Sequence, residues 1–221
     1  MISVAIDGPA GAGKSTIAKA LSKDMGYIYV DTGALYRTVG LYMLRNNIST
    51  TDGDAVGKAL NDIKVEMKHI EGIQRVFLND EDVSDVIRTE EVSMAASNVS
   101  AIPSVRAFLL SLQRDIAKKN NIVMDGSDIA TVVLPNATVK IFLTASAEER
   151  ANRRYKELIE KGMDADYDKV LEDIKVRDYN DSHRDIAPLK PSEESVIIDT
   201  TDVPLNEAIA MLKKAVEEGI K

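Results

Sequence analysis

Lys14, Ser15 and Thr16 close the stretch Gly8-Pro9-Ala10-Gly11-Ala12-Gly13-Lys14-Ser15-Thr16, which meets the pattern G-x-x-x-x-G-K-[ST] at every defined position. The chemistry that asks for these residue types at this spacing is the gripping of a polyphosphate. Backbone N–H groups must turn inward around the anion, which glycine permits by adopting unusual dihedrals and by leaving no side chain in the way. Lys14 then neutralises the outer phosphates. Ser15 offers its hydroxyl to Mg²⁺, and a helix opening near Ser15 points its positive end at the same charges. Gly8, Pro9, Ala10, Gly11, Ala12, Gly13, Lys14, Ser15 and Thr16 are therefore expected to hold a nucleoside triphosphate, with Ser15 on the metal. The bland alternative is a Gly-rich turn with an exposed lysine; the apolar run Ile2–Ile6 ahead of the motif supplies the strand–loop–helix context that speaks against it.

A triphosphate-binding loop leaves kinases, guanine switches and hydrolytic motors open. A second apolar run, Ile122–Met124, leads into Asp125 and Gly126. A carboxylate at that strand edge can hold Mg²⁺ or its waters, while the following glycine stands where many ATPases place a water-activating glutamate. No Asn-Lys-x-Asp stretch is present to read guanine. A transferase that excludes water and delivers phosphate to an acceptor fits best. Acceptor-side candidates are the charged stretches Asp31–Arg37, Asp125–Thr131 and Arg177–Arg184, read as loops after strand ends. Arginine suits phosphate because its planar fork grips two oxygens and stays charged.

The elements that must position these groups follow from periodicity. Ile2–Ile6, Tyr27–Val30, Ile122–Met124, Val139–Leu143 and Val196–Ile198 read as five buried parallel strands separated by helical patterns, an α/β arrangement. Helices are expected at Ala34–Asn46, Glu90–Ser100 and Ser104–Lys118, the last with Val105, Phe108, Leu109, Leu112 and Ile116 on one face. Lys64–Ile70 and Gln74–Leu78 alternate in polarity and predict a small antiparallel insertion, with a further turn at Asn79-Asp80-Glu81. Ser146-Ala147-Glu148-Glu149 reads as a capping box opening a helix that carries Arg150, Arg153 and Arg154. That cluster is either a solvated basic face or an arginine-bearing lid over phosphates.

Composition sets the outer bounds. At 221 residues, 44% hydrophobic and 29% charged, the chain suits one folded domain with a sizeable core. The absence of cysteine excludes disulfides, thiolate metal sites and cysteine nucleophiles. A net charge of −8 argues against a broad nucleic-acid face. No apolar run reaches bilayer length and no basic-then-apolar leader precedes Ile2, so a cytoplasmic protein without membrane attachment is expected. His69 and His183 form no metal cluster and are read as ordinary polar residues.

Four pieces together are similar to bacterial cytidylate kinases: Asp7–Thr16, Asp31-Thr32-Gly33-Ala34-Leu35-Tyr36-Arg37, Thr131-Val132-Val133-Leu134-Pro135 and Ala187-Pro188-Leu189-Lys190. The resemblance runs over essentially the whole chain. It implies a P-loop five-stranded parallel sheet flanked by helices, one kinase domain over 1–221, the β insertion (64–86) on the acceptor side and a lid over 145–165. It further implies transfer of the γ-phosphoryl group of ATP to CMP or dCMP with Mg²⁺. The oligomeric state is not given by the resemblance, and a monomer is favoured. Residue by residue, it places Thr32 and Arg37 near the acceptor, with Arg37 on its phosphate. Ser97, Arg106, Asp128 and Arg184 fall around the cytosine, and Arg177 and Asp181 face the ribose. Lys14, Asp125 and Arg153 form the implied catalytic set, with Arg150 and Arg154 assisting or bracing.

The chain departs from the family pattern after the third strand. Where Asp-Gly-Arg-Asp-x-Gly-Thr is usual, it reads Asp125-Gly126-Ser127-Asp128-Ile129-Ala130-Thr131. Ser127 replaces an arginine expected on the acceptor phosphate, and Ala130 replaces a glycine, which would strain the loop if its φ were positive. Two further readings stay open at this level, a kinase of altered acceptor preference and a nucleotide binder with little turnover.

Overall fold

The structure, a computed structural model describing residues 1–220, is built on a five-stranded parallel sheet of order β2-β6-β1-β7-β8. Its strands are β1 (Ser3–Asp7), β2 (Ile28–Asp31), β6 (Ile122–Gly126), β7 (Val139–Thr144) and β8 (Val196–Asp199). All five expected strands are present, and each runs at least one residue beyond its last apolar position. The added residues include Asp7, Asp31 and Asp125, acids at the C-terminal edge where open α/β sheets bind ligands.

Helices cover both faces. On one, α1 (Lys14–Met25) and α8 (Leu205–Gly219) bury Ile17, Leu21, Leu212 and Val216 against Val4, Ile6, Ile141 and Leu143. On the other, Ala5, Val30, Ile122 and Met124 meet Leu110 and Ile116 of α5 (Pro103–Lys119). A separate core joins α2 (Thr32–Arg45), α3 (Gly53–Ala59), α4 (Glu90–Ser100) and α5 to the small antiparallel sheet of β3 (Val65–Ile70), β4 (Ile73–Leu78) and β5 (Glu81–Asp82). Here β5 is a short third strand at the end of the expected turn, because Leu78 and Phe77 pair back onto Glu81 and Asp82. The insertion is tied to the main sheet through Gln74, whose Oε1 accepts from Asp31 N–H at 2.8 Å and whose Nε2 donates to Asp31 O at 3.2 Å.

Beyond β7, α6 (Ala147–Glu160) packs on α7 (Tyr167–His183) around Ala151, Leu158, Val170 and Ile174. Half of the expected capping box forms: Ser146 Oγ accepts from Glu149 N–H, but Ser146 N–H donates to Thr201 Oγ1, which frees the Glu149 carboxylate for Arg153. Arg177–His183 is helix and not loop, a correction to the sequence reading. Its apolar periodicity is weak because the face turned inward carries Arg177 and Asp181 beside Val170 and Ile174. Among the described residues, no helix is long and apolar enough to cross a membrane.

Candidate active site

The loop between β1 and α1 is shaped by backbone that only glycine adopts. Gly8 has φ +151°, and a Cβ there would lie 1.9 Å from the Leu143 carbonyl oxygen. Gly13 caps α1 in the left-handed region (φ 87°) with no side chain covering the helix start. Lys14 Nζ is buried beneath the loop and donates to Pro9 O at 2.8 Å. Burial lowers its pKa, and Arg177 opposes its charge further, while Asp125 and Asp7 act the other way.

Two cavities meet at this loop. One, about 220 Å³, is lined by Gly8, Lys14, Thr32, Arg37, Ser97, Ser127, Arg177, Asp181 and Arg184 among others. The second, about 510 Å³, runs along Gly11–Ile17 to Arg153, Arg154, Thr200, Val203 and Leu205. Gly11, Lys14 and Ser15 border both. A phosphate chain lying in the second cavity would end at the mouth of the first.

The smaller cavity gathers four cations, Lys14, Arg37, Arg177 and Arg184, with three acids, Asp31, Asp125 and Asp181. Arg37 Nε and Arg177 Nε are both buried without a hydrogen-bond partner, and the two guanidiniums and Lys14 repel one another. Buried like charges with unspent donors are the arrangement an anion stabilises. Arg37 is aimed by Asp31, which accepts from its Nη2 at 2.8 Å and lies 3.5 Å from Arg88. Burial would raise the Asp31 pKa, but the Arg37 and Arg88 charges hold it below the usual carboxylate value.

The other predicted residues divide into groups. Asp181, buried, accepts from Ser97 Oγ at 3.3 Å and lies 3.7 Å from Arg177 and 3.5 Å from Arg184. Thr32 Oγ1 donates to the Asp125 carbonyl at 2.8 Å. Arg106 and Asp128 form a buried ion pair at 2.6 Å that does not line the cavity; it stands behind Ser100 and Tyr36, which do. The implied contact of that pair with a base is thus not displayed. Arg150 is spent on structure, with both Nη atoms on Asp178 and a bond to Ala10 O that ties the loop to α7. Arg153, held by Glu149 and Thr200 O, overhangs Gly13, and Arg154 pairs with Glu157 at the rim.

The loop after β6 differs from the sequence expectation. Ala130 lies in a π-helical turn (Ile129–Val133) outside the positive-φ residues, so its Cβ causes no backbone strain. Asp7 organises the turn by accepting from Ile129 and Ala130 N–H, each at 2.7 Å, and burial still pushes its pKa up to about 7. Ser127 Oγ accepts from Arg184 Nη2 at 2.9 Å, so a guanidinium stands beside the residue that replaces the usual arginine. Asp7 and Gln74 are positioning residues that the sequence reading gave no role, and Asp31, read only as part of an acceptor-side stretch, joins them. Their signal was the placement of Asp7 and Asp31 at strand ends.

Ser15 Oγ donates to Asp125 Oδ2 at 2.9 Å, and Asp125 Oδ1 is buried with no partner. Burial, and then Asp31, push the Asp125 pKa up to about 6. A hydroxyl and a carboxylate with an unspent oxygen, beside a phosphate loop, form a hard-oxygen donor set that fits Mg²⁺.

The sequence and the fold have counterparts in known proteins. The chain is 52% identical to a cytidylate kinase of Caldicellulosiruptor bescii over 94% of its own length and 92% of the relative's. It is 48% identical to a cytidylate kinase of Streptococcus sanguinis over 99% and 98%. A crystal structure of a gluconokinase from Sinorhizobium meliloti superposes with a TM-score of 0.52 at 14% identity, covering 98% of this chain and 92% of that one, a likeness of fold alone. A family model described as cytidylate kinase matches residues 4–218, and with it the chain belongs to the cytidylate kinase family.

Proposed function

We propose that the protein transfers the γ-phosphoryl group of ATP to CMP or dCMP. The observation that carries this reading is the meeting of the two cavities at Lys14 and Ser15, with the donor chain on the α1 side and the acceptor phosphate between Arg37 and Arg177. An acceptor phosphate oxygen is already ionised near neutral pH, so no strong general base is needed. Catalysis is alignment and charge stabilisation, to which Lys14 and Arg153 contribute from opposite sides of the loop. Ser15 and Asp125 would hold Mg²⁺, which when bound offsets the charge of the nucleotide phosphates.

Ser97, Asp181 and Arg184 offer the nucleoside donors and acceptors, with Thr32 beside them. The Arg106–Asp128 pair supports that wall from behind, close enough that a shift of Tyr36 or Ser100 would bring it to a base. Arg177 is read here as facing the phosphate as well as the ribose, because its free Nε adjoins Arg37. The α6–α7 hairpin is the lid, and the insertion braces Asp31. We read the working unit as a monomer in a cytoplasmic setting.

Lys14→Met tests the meeting point. The buried charge is lost, so the folded protein is expected to melt no lower than wild type, while kcat falls by about a hundredfold or more. Turnover near wild type would refute the assignment of the donor chain to this loop.

A further inference from the structure

Tyr29 is a buried hydroxyl that the reaction as read above does not use. It lies on β2, where Tyr29 pairs with Val123 and Asp31 with Asp125, so its side chain shares a sheet face with Asp125 on the neighbouring strand. On that face α1 covers it: Lys19 Nζ, one turn beyond Ser15, stands 5.5 Å from the ring centroid. The ring packs with the core that contains Ile17, Leu21 and Val123. Its hydroxyl is enclosed and within reach of both Ser15 and Asp125, though with neither in full hydrogen-bond geometry. Burial, then the Asp125 and Asp31 charges, raise the phenol's pKa, so the hydroxyl keeps its proton.

A buried hydroxyl with no partner costs roughly as much as a lost hydrogen bond and persists where something else satisfies it. The second orphan in the same place is Asp125 Oδ1. Two enclosed oxygens without a partner of hydrogen-bond geometry, one able to donate, thus lie beside the Ser15–Asp125 bond. We propose that Tyr29 is a positioning residue of the metal site, its hydroxyl acting with Asp125 Oδ1 to hold the water shell of the divalent cation that accompanies the donor nucleotide. This rests on reading Ser15 and Asp125 as the pair that holds magnesium.

The test is calorimetric titration of ATP, without acceptor, into wild type, Tyr29→Phe and Asp125→Asn, each in EDTA and in saturating MgCl₂. Tyr29→Phe keeps the ring and removes only the orphan oxygen, so the nucleotide-free protein is expected to melt at or above the wild-type temperature. Its ATP affinity in EDTA stays unchanged, while the gain in affinity on adding Mg²⁺ shrinks by about tenfold. Asp125→Asn loses that gain entirely. A full gain in Tyr29→Phe alongside its loss in Asp125→Asn overturns the role of Tyr29 and leaves the metal assignment standing. A full gain in both overturns the metal assignment, and the Tyr29 role with it. A melting temperature lowered in Tyr29→Phe by more than about 3 °C would mark the hydroxyl as a structural partner and also refute the proposal.

Discussion

Ser127 shows how one side chain can reassign its neighbours. Its hydroxyl is too short to grip a phosphate in place of an arginine, yet it anchors Arg184, which is also held by Ser100 Oγ and Ala187 O. The cavity therefore retains Lys14, Arg37, Arg177 and Arg184 around its 220 Å³. Ser127→Ala removes one hydrogen bond to a buried guanidinium, about 1.5–3 kcal/mol, and is expected to lower kcat/KM for CMP by roughly ten- to a hundredfold, mainly through KM. Ser127→Arg should bring no gain, since it displaces that anchor and adds a fifth cation; a rise in efficiency would mean that the acceptor clamp is incomplete without it. At this scale much of the site was legible. The phosphate loop, Arg37, Ser97, Arg177, Asp181 and Arg184 all border the two cavities. What the sequence hides is which charges are spent on one another, because Arg150–Asp178 and Arg106–Asp128 join residues 28 and 22 positions apart.

Elements explain why those pairings matter. The five strands were readable from apolar runs, since strands buried on both faces carry little else. Outside β6, where Asp125 already stood at the strand edge, their final residues were less readable, because a polar residue at the C-terminal edge of the sheet breaks the run that identifies the strand. Helix α7 was missed for a related reason: Arg177 and Asp181 face inward where apolar residues would make a clearer stripe. The wall between α5 and the turn after β6 depends on Arg106 and Asp128, whose side chains are 9% and 4% exposed, so neither charge can turn to water instead. Asp128→Ala should then cost about 3–5 kcal/mol of folding stability in urea. Arg106→Met in the same chain should recover most of that loss. Failure of the double variant to recover would show that Asp128 stabilises the turn by a route other than the pair.

Over the whole molecule, stability and function meet at the buried acids. Asp7 at about 7 and Asp125 at about 6 both stand above the ordinary carboxylate value of 3.8. Each therefore binds a proton more tightly folded than unfolded. Their contribution to stability is present in full below the ordinary value, and it is lost as pH rises through about 6 for Asp125 and about 7 for Asp7. Asp31, held low by Arg37 and Arg88, has the opposite sign. In nucleotide-free protein the stability of wild type relative to Asp7→Asn should accordingly decline from pH 4 to about 7.5, read by urea unfolding; a constant difference would place Asp7 as an ordinary ionised acid. A buried acid such as Asp125, disfavoured in its ionised form in the unliganded molecule, is suited to gain from a bound cation. The most direct measurement of that account is ADP formation from ATP with CMP, dCMP, UMP, AMP and GMP offered singly in the presence of Mg²⁺. CMP and dCMP should support turnover with kcat/KM at least about a hundredfold above the purine nucleotides, whose bases offer the cavity wall a different pattern of donors and acceptors. Turnover led by a purine monophosphate, or nucleotide binding with no acceptor-dependent ADP at all, would contradict it.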